Sequence, residues 1–416
     1  MKIAVVGGGF TGLACALSLV ESGVEVILYE EENTLGGLAG GVVEKDWKWS
    51  LEYFYHHAFT NDKEVIDLAK KVGVKPLIKK PITTGFINKK ELQLDSPISV
   101  LKFSELSIVG RLRMGAGLAL LKLIPNGLFL EKYRVAELLP RIIGKEGYVV
   151  IWEKLLKAKF GPFANKVNMA WFWARVAKRT KNLVYFEGGF QNLANKTGEK
   201  ITGMGGKIFL RKPVEKINKQ ENGKWIIGKE EFDGVLVTTP APVMEKLLGK
   251  KIEFPDLDYL WGQTVILQLK ERVIPSYWMN ILENNWPFLV LVEHTNLIDK
   301  KYYGNNRIVY LGNYLPEGHK QLKMSKEALV SAYLPYLRKI NKHFKKAWIK
   351  NVLVFRKPFA QPVFPVNYSK EISKIKSPVR GLYLANMSMV YPFDRGTNYA
   401  VKMGVAVAVG ILRDLK

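Results

Sequence analysis

The first thirty residues leave this chain few choices. Lys2-Ile-Ala-Val-Val-Gly7 is a run of β-branched and small apolar residues, the pattern of a strand buried on both faces, and it breaks into Gly7-Gly8-Gly9-Phe10-Thr11-Gly12. Leu13, Ala16, Leu17 and Val20 then recur at helical spacing until Gly23, and Val24-Glu-Val-Ile-Leu-Tyr29 predicts a second strand ending in Glu30. Strand, G-x-G-x-x-G turn, helix and second strand closed by an acid make up a β-α-β unit that holds a dinucleotide. Gly7 makes the tight turn, Gly9 lets a pyrophosphate reach the backbone, and Gly12 lets helix and strand approach. The helix N-terminus, at Phe10 and Thr11, presents N–H groups and a positive dipole end to phosphates, so no lysine is required. Glu30, 18 residues after Gly12, stands where a carboxylate accepts hydrogen bonds from an adenosine ribose. A β-α-β unit whose glycines serve packing alone is the competing reading, and the terminal acid argues against it.

Charge does not help that unit bind anything. The 416 residues carry a net +25, yet residues 1–60 are net −5 and the remainder +30. At about 150 residues per domain the length predicts two or three domains. Such an excess invites a nucleic-acid or an anionic-membrane reading. The lysines come in dispersed pairs (Lys79-Lys80, Lys89-Lys90, Lys300-Lys301, Lys345-Lys346) with no basic recognition helix, so no nucleic acid is expected. The single cysteine, Cys15, forbids an intramolecular disulfide, a CxxC zinc site and a dithiol relay. The amino terminus lacks a secretory pattern, and the longest apolar stretch, Leu118–Leu130, is broken by Lys122, Pro125 and Asn126. The expectation is a soluble cytoplasmic protein. Residues 101–130 predict a helix that is apolar over much of its circumference and basic where polar. That pattern suits a helix lying on an anionic membrane, but an amphipathic helix covering a substrate cavity inside a soluble domain is the favoured reading, because ordinary helices share the pattern.

Leu35-Gly36-Gly37-Leu38-Ala39-Gly40-Gly41 follows directly after the acid. With this doublet the chain resembles the flavoprotein superfamily of amine oxidases, protoporphyrinogen oxidases, phytoene desaturases and UDP-galactopyranose mutases. Further segments match in the family's order: Glu187–Leu193, Gly205–Arg211, Phe232–Pro240, Gly381–Met387 and Asp394–Ala400. The resemblance implies an α/β protein in which a Rossmann-like FAD-binding domain (1–75, 186–255 and 356–416) is interleaved with an α+β substrate domain (76–185 and 256–355). It also implies that Gly36, Gly37 and Leu38 pass the flavin's pyrophosphate and ribityl chain, and that the Val214 backbone meets adenine. Asn386, Gly396, Thr397 and Asn398 would close over the flavin, with the last helix aimed at the ring. Leu38 replaces a common arginine, Ser50 and Glu52 replace an aspartate and a glycine, and Asn386-Met387 replaces Gly-Asp. FAD is expected to be non-covalent, since Cys15 sits in the first helix. No second glycine-rich β-α-β unit follows residue 40, so electrons arrive from a small-molecule substrate and leave to oxygen, a quinone or another diffusing acceptor.

Tyr53, Tyr55, His56 and His57 form a dense cluster soon after the doublet. A histidine near its ordinary pKa serves as acid or base, while one bonded to a backbone carbonyl is structural. Tyr55, His56 and His57 are therefore catalytic candidates, as is Arg395, which could hold an anionic group or pair with Asp394. Trp171, Phe172 and Trp173 could wall a substrate passage, but neighbours on a helix point apart, so at least one belongs to the core. His294, His319 and His343 show no metal spacing and are expected at the surface. The alternative function is a mutase-like isomerase of a sugar nucleotide, which needs arginines such as Arg175, Arg179 and Arg395 facing a diphosphate.

Overall fold

A computed structural model describes residues 1–249, 254–372, 377–393 and 396–414. Lys2–Val6 is the centre of a five-stranded, wholly parallel sheet in the order Lys207–Phe209, Glu25–Tyr29, Lys2–Val6, Gly234–Val237, Leu382–Leu384. Its strands come from widely separated stretches of chain, and Ile3, Ala4, Val5, Val26, Leu28, Val235 and Leu236 are fully buried, as parallel strands covered on both faces require. The helix Phe10–Glu21 covers one face and ends where Gly23, at φ +75°, donates to Val20 O and Val24 donates to Leu19 O.

A second sheet of seven strands runs Ile349–Pro362, Tyr259–Leu269, Arg307–Leu315, Val290–Glu293, Trp278–Ile281, Thr83–Ile87, Lys90–Gln93. It is antiparallel except where Trp278–Ile281 pairs with Thr83–Ile87. Its inner-face residues Ile266, Val292 and Tyr310 share one continuous core with Leu13, Leu17 and Phe190 of the dinucleotide side. Helices between residues 97 and 178 build a separate core around Met114, Leu139, Phe160 and Phe172. The helix expected over residues 101–130 is two helices, Pro97–Leu101 and Ile108–Leu123, each started by a serine cap. Ser96 accepts from Ser99 N, Ser107 accepts from Gly110 N, and Lys102–Ser107 lies between the two helices. Among the described residues no helix is long and apolar enough to cross a membrane.

The last helix, Thr397–Asp414, packs against the first through backbone contact. A Cβ added at Gly404 would lie 2.3 Å from Thr11 O and 2.9 Å from Ala14 Cβ. Neither neighbour is the flexible end of a side chain, so Gly404→Val must separate the helices, at an overpacking cost of about 1–3 kcal/mol. Urea denaturation is expected to show a lower midpoint for Gly404→Val; an unchanged midpoint would contradict the close approach.

Candidate cofactor and active site

The glycine turn is built by contacts that exclude side chains. Gly7 has φ +108°, and a Cβ there would fall 2.4 Å from Thr238 Oγ1; at Gly12 it would fall 2.0 Å from Gly7 O. Gly9 differs, because a Cβ there meets nothing within 4 Å: the position opens into space and not into protein. Gly9 precedes the first helix and gives it no side-chain cap, so the first-turn N–H groups have no intrahelical partner and no capping side chain. Gly36, at φ +105°, donates to Gly8 O at 2.9 Å and brings the doublet loop alongside the turn. Glu30 is buried and binds the loop: Gly8 N donates to one oxygen (2.6 Å) and Glu32 N to the other (2.9 Å). Burial raises its pKa while those two N–H groups pull it back.

All of this opens on one cavity of about 1520 Å³. Ligand pockets commonly hold about 300–1,000 Å³, so there is room for a dinucleotide and a second molecule. Gly7, Gly9, Phe10 and Thr11 line it from the first βα turn, Glu30 from the end of the second strand, Gly36, Gly37 and Leu38 from the doublet loop, and Val214, Asn386, Gly396, Thr397 and Asn398 from the later segments. Gly12 does not reach it. Asn386 caps the turn Met387–Val390, accepting from Ser388 N and Ser388 Oγ, while Asn398 accepts from Val65 N at 3.1 Å. Thr238, Thr239 and Pro240, just beyond the strand Gly234–Val237, add a wall that the resemblance located only as a strand end.

The same cavity continues past Tyr53, Tyr55, His56 and His57 to Ile151, Trp171 and Phe172. Tyr55 and His57 both meet Trp278 edge to face, at 5.0 and 5.8 Å. His56 Nδ1 lies 2.6 Å from Phe54 O, so that nitrogen donates to the carbonyl. His57 does not keep an ordinary pKa. Enclosure by protein, followed by the nearby Arg179, His56 and Arg175 charges, pushes it down to about 3, so it is a neutral hydrogen-bonding group and a weak base at neutral pH. Trp173 leaves the cavity wall: it packs on Gly127 and donates Nε1 to Ile124 O at 3.1 Å, which makes it the core member of the aromatic trio. Arg395 and Asp394 lie outside the described residues. Among the described residues no group of His, Cys, Asp and Glu could hold a metal ion. Cys15 is fully buried in the first helix, where burial raises its thiol pKa.

The family model for flavin-containing amine oxidoreductases matches residues 10–412. The chain belongs to that family. FAD is thus its cofactor, and the uncapped helix end, the open Gly9 and the cavity volume fit a dinucleotide. A probable zeta-carotene desaturase of Synechococcus elongatus is 37% identical over 90 residues, which are 21% of this chain and 18% of the desaturase. The 15-cis-phytoene desaturase of Glycine max is 22% identical over all of this chain and 80% of its own length. A solved structure of a candidate protoporphyrinogen oxidase from Exiguobacterium sp. 255-15 superposes with a TM-score of 0.78 at 18% identity, covering 99% of this chain and 98% of that one. At that identity the likeness is one of fold.

Beside the cavity this flavoprotein holds a buried polar network that sequence reasoning missed. Glu52 is 1% exposed; Tyr185 Oη lies 2.9 Å from both its oxygens and Phe190 N donates to one of them at 2.8 Å. Tyr310 Oη donates to the Glu52 carbonyl at 2.7 Å, and His294 Nε2 lies 2.8 Å from Tyr303 Oη. The surface position expected for His294 is wrong: the ring is 2% exposed, packed edge to face on Tyr185, Tyr303 and Tyr310, and burial pushes its pKa down to about 3. His319 is half-buried and His343 exposed. The available signal was an acid and a histidine set inside apolar runs, Leu51-Glu52-Tyr53 and Val290-Leu-Val-Glu-His294.

Burial raises the Glu52 pKa to about 7 against the hydrogen bonds it accepts. Between the ordinary carboxyl pKa and about 7 the folded state holds a proton that the unfolded state has lost, so this group makes stability fall as pH rises through that window. Glu293, also raised to about 7, acts in the same direction. Glu52→Gln mimics the protonated acid, and denaturation midpoints at pH 5 and pH 8 are expected to differ less in that variant than in the parent, by up to about 3 kcal/mol in stability. For His57, ring NMR is expected to show no protonation step between about pH 5 and pH 9, since its pKa lies far below.

Proposed function

We propose that the chain is an FAD-dependent oxidoreductase in which a hydride passes from a lipophilic small-molecule substrate to non-covalently held flavin. The observation that carries the reading is the single cavity joining the glycine turn to an apolar wall of Leu118, Ile151, Trp171 and Phe172. Gly9, Phe10 and Thr11 hold the pyrophosphate through backbone N–H groups at the helix end, and Glu30 meets the adenosine ribose. The Val214 backbone meets adenine. Gly36, Gly37 and Leu38 pass the ribityl side, and Asn386, Gly396, Thr397 and Asn398 flank the ring beside the last helix. Bound FAD supplies the hydride acceptor. Tyr55, His57 and Trp278 wall the substrate position and exclude water, while the Phe54 carbonyl holds His56 through Nδ1. Arg395 remains the proposed anion contact.

The same reading divides the chain into a cofactor unit of 1–75, 186–255 and 356–416 and a substrate unit of 76–185 and 256–355. The strand Ile349–Pro362 crosses between them, since its last residues still pair in the seven-stranded sheet. The protein is proposed to work in the cytoplasm with peripheral contact to an anionic membrane, a reading supported by the +30 carried outside residues 1–60. Arg175 and Arg179 line the cavity, which is the one observation favouring the mutase-like alternative.

Purified protein is expected to show flavin absorbance, and Gly9→Val to lose it, because a branched side chain would fill the open side of the turn. Anaerobic bleaching by amines, porphyrinogens or polyprenyl compounds would identify the substrate. Binding of a UDP-sugar only after reduction would favour the isomerase, and protein that neither carries nor acquires flavin would overturn both readings.

A further inference from the structure

Helices on globular proteins bury their most apolar stripe. Ile108–Leu123 does the opposite. Its buried residues are Gly110, Met114, Gly117 and Leu121; Gly117 lies against the helix Val135–Ile143, where a Cβ would be 2.8 Å from Ile142 O, and Gly110 and Met114 lie against Glu146 and Gly147. Turned to the outside are Ile108, Val109, Leu112, Leu120 and Leu123, each 57–79% exposed. Val109, Leu112, Ala116, Leu120 and Leu123 follow one another three or four residues apart, so they form one stripe along the helix. Ile98 and Leu101 of the preceding short helix are exposed as well, and Arg111 ties the two helices by donating to Leu101 O and Leu106 O. An apolar surface of this continuity marks an interaction site.

We propose that this stripe docks on an anionic lipid bilayer and that its inner edge is the passage by which a lipid-dissolved substrate reaches the cavity. The inference rests on the oxidoreductase reading for the substrate's destination, but not for the docking itself. Charge decides between occupants. Lys102, Arg111, Arg113 and Lys122 accompany the stripe; of the nearby carboxylates Glu105 pairs with Lys90 and accepts from Asn88, and Glu146, held ionised by Ser107 N and Ser107 Oγ, leaves the cations in excess. A second copy of the chain would bring those cations against their own kind, on a molecule already at +25. Anionic headgroups complement them while acyl chains take the stripe. The connection to the site is direct, because Leu101, Leu112, Ala116, Ala119 and Lys122 also line the cavity. An apolar molecule leaving the bilayer beside Leu112 therefore enters the cavity without crossing open water.

Flotation of the holoprotein with vesicles tests this, with flavin absorbance read in the same fractions. Binding is expected to vesicles of phosphatidylcholine with about a third phosphatidylglycerol, weaker binding to phosphatidylcholine alone, and a decrease with added salt. Leu120→Glu/Leu123→Glu, whose positions do not line the cavity, is expected to lower partitioning about tenfold or more while flavin absorbance stays unchanged. Lys102→Gln is expected to weaken binding to the anionic vesicles only. Equal flotation of parent and double variant, no flotation of the flavin-loaded parent, or sedimentation showing a dimer that the double variant dissolves would each overturn the proposal. Flotation by protein that carries no flavin would support the docking while refuting the oxidoreductase reading.

Discussion

The cofactor end of this molecule depends on how closely backbone can approach backbone. The chain turns at Gly7, and the first helix begins so near that turn that Gly12 lies against the Gly7 carbonyl. The last helix then presses Gly404 on Thr11 O. Two helices can meet beside the glycine turn because the last carries no side chain at the point of contact and the first only the Ala14 methyl. The proposed phosphate contact rests on geometry and not on charge: the uncapped N–H groups lie in a segment whose net charge is negative. A lysine in the turn would add attraction but would occupy the space that Gly9 leaves open.

The rest of the site is organised by exclusion of water. His57 is enclosed by aromatic rings and faces two arginine charges, so its imidazole stays neutral, and the tyrosines around Glu52 have their ionisation pushed upward by the same burial. The groups near the proposed ring position thus differ in kind from a surface histidine cluster. His57 and these tyrosines keep fixed protonation over the neutral range, which suits orienting a substrate and shielding it from solvent better than trading protons with bulk water.

What the sequence made legible is what local backbone rules determine. The glycine turn, its strand and its helix depend on residues within thirty positions of one another, and so does Glu30. His294 was misread because its burial comes from Tyr185, Tyr303 and Tyr310, supplied by other segments of the fold. The His57 environment was hidden for the same reason, since Arg175 and Arg179 arrive more than a hundred residues later. Periodicity also left two roles open for residues 101–130, and the structure explains why. Hydrophobic spacing shows that a helix has an apolar face, but here the buried face is the one rich in glycine, chosen by close packing on Val135–Ile143, and the more apolar face is left outside.

Glu52 presents the opposite economy to the glycines. A buried carboxylate disfavours folding once it ionises, and a well-packed apolar residue in its place is often neutral or stabilising. Yet this side chain touches parts of the chain that must meet for the cavity to exist. It binds Tyr185 of the strand Leu183–Phe186 and accepts from Phe190 at the start of the helix Gly189–Gly203, while the residue's backbone pairs with Gly41 in the short ladder Gly41–Val42 with Leu51–Glu52 and its carbonyl takes the Tyr310 hydroxyl of the seven-stranded sheet. Gly189 is part of the same arrangement, because a Cβ there would come within 2.9 Å of a Glu52 oxygen. Apolar packing could fill this volume, but it has no direction. Three directed hydrogen bonds fix how the doublet loop, the return helix and the large sheet join, and therefore where Tyr53 to His57 enter the cavity. The stability that Glu52 costs above its pKa is offset by the register it enforces between the two sheets.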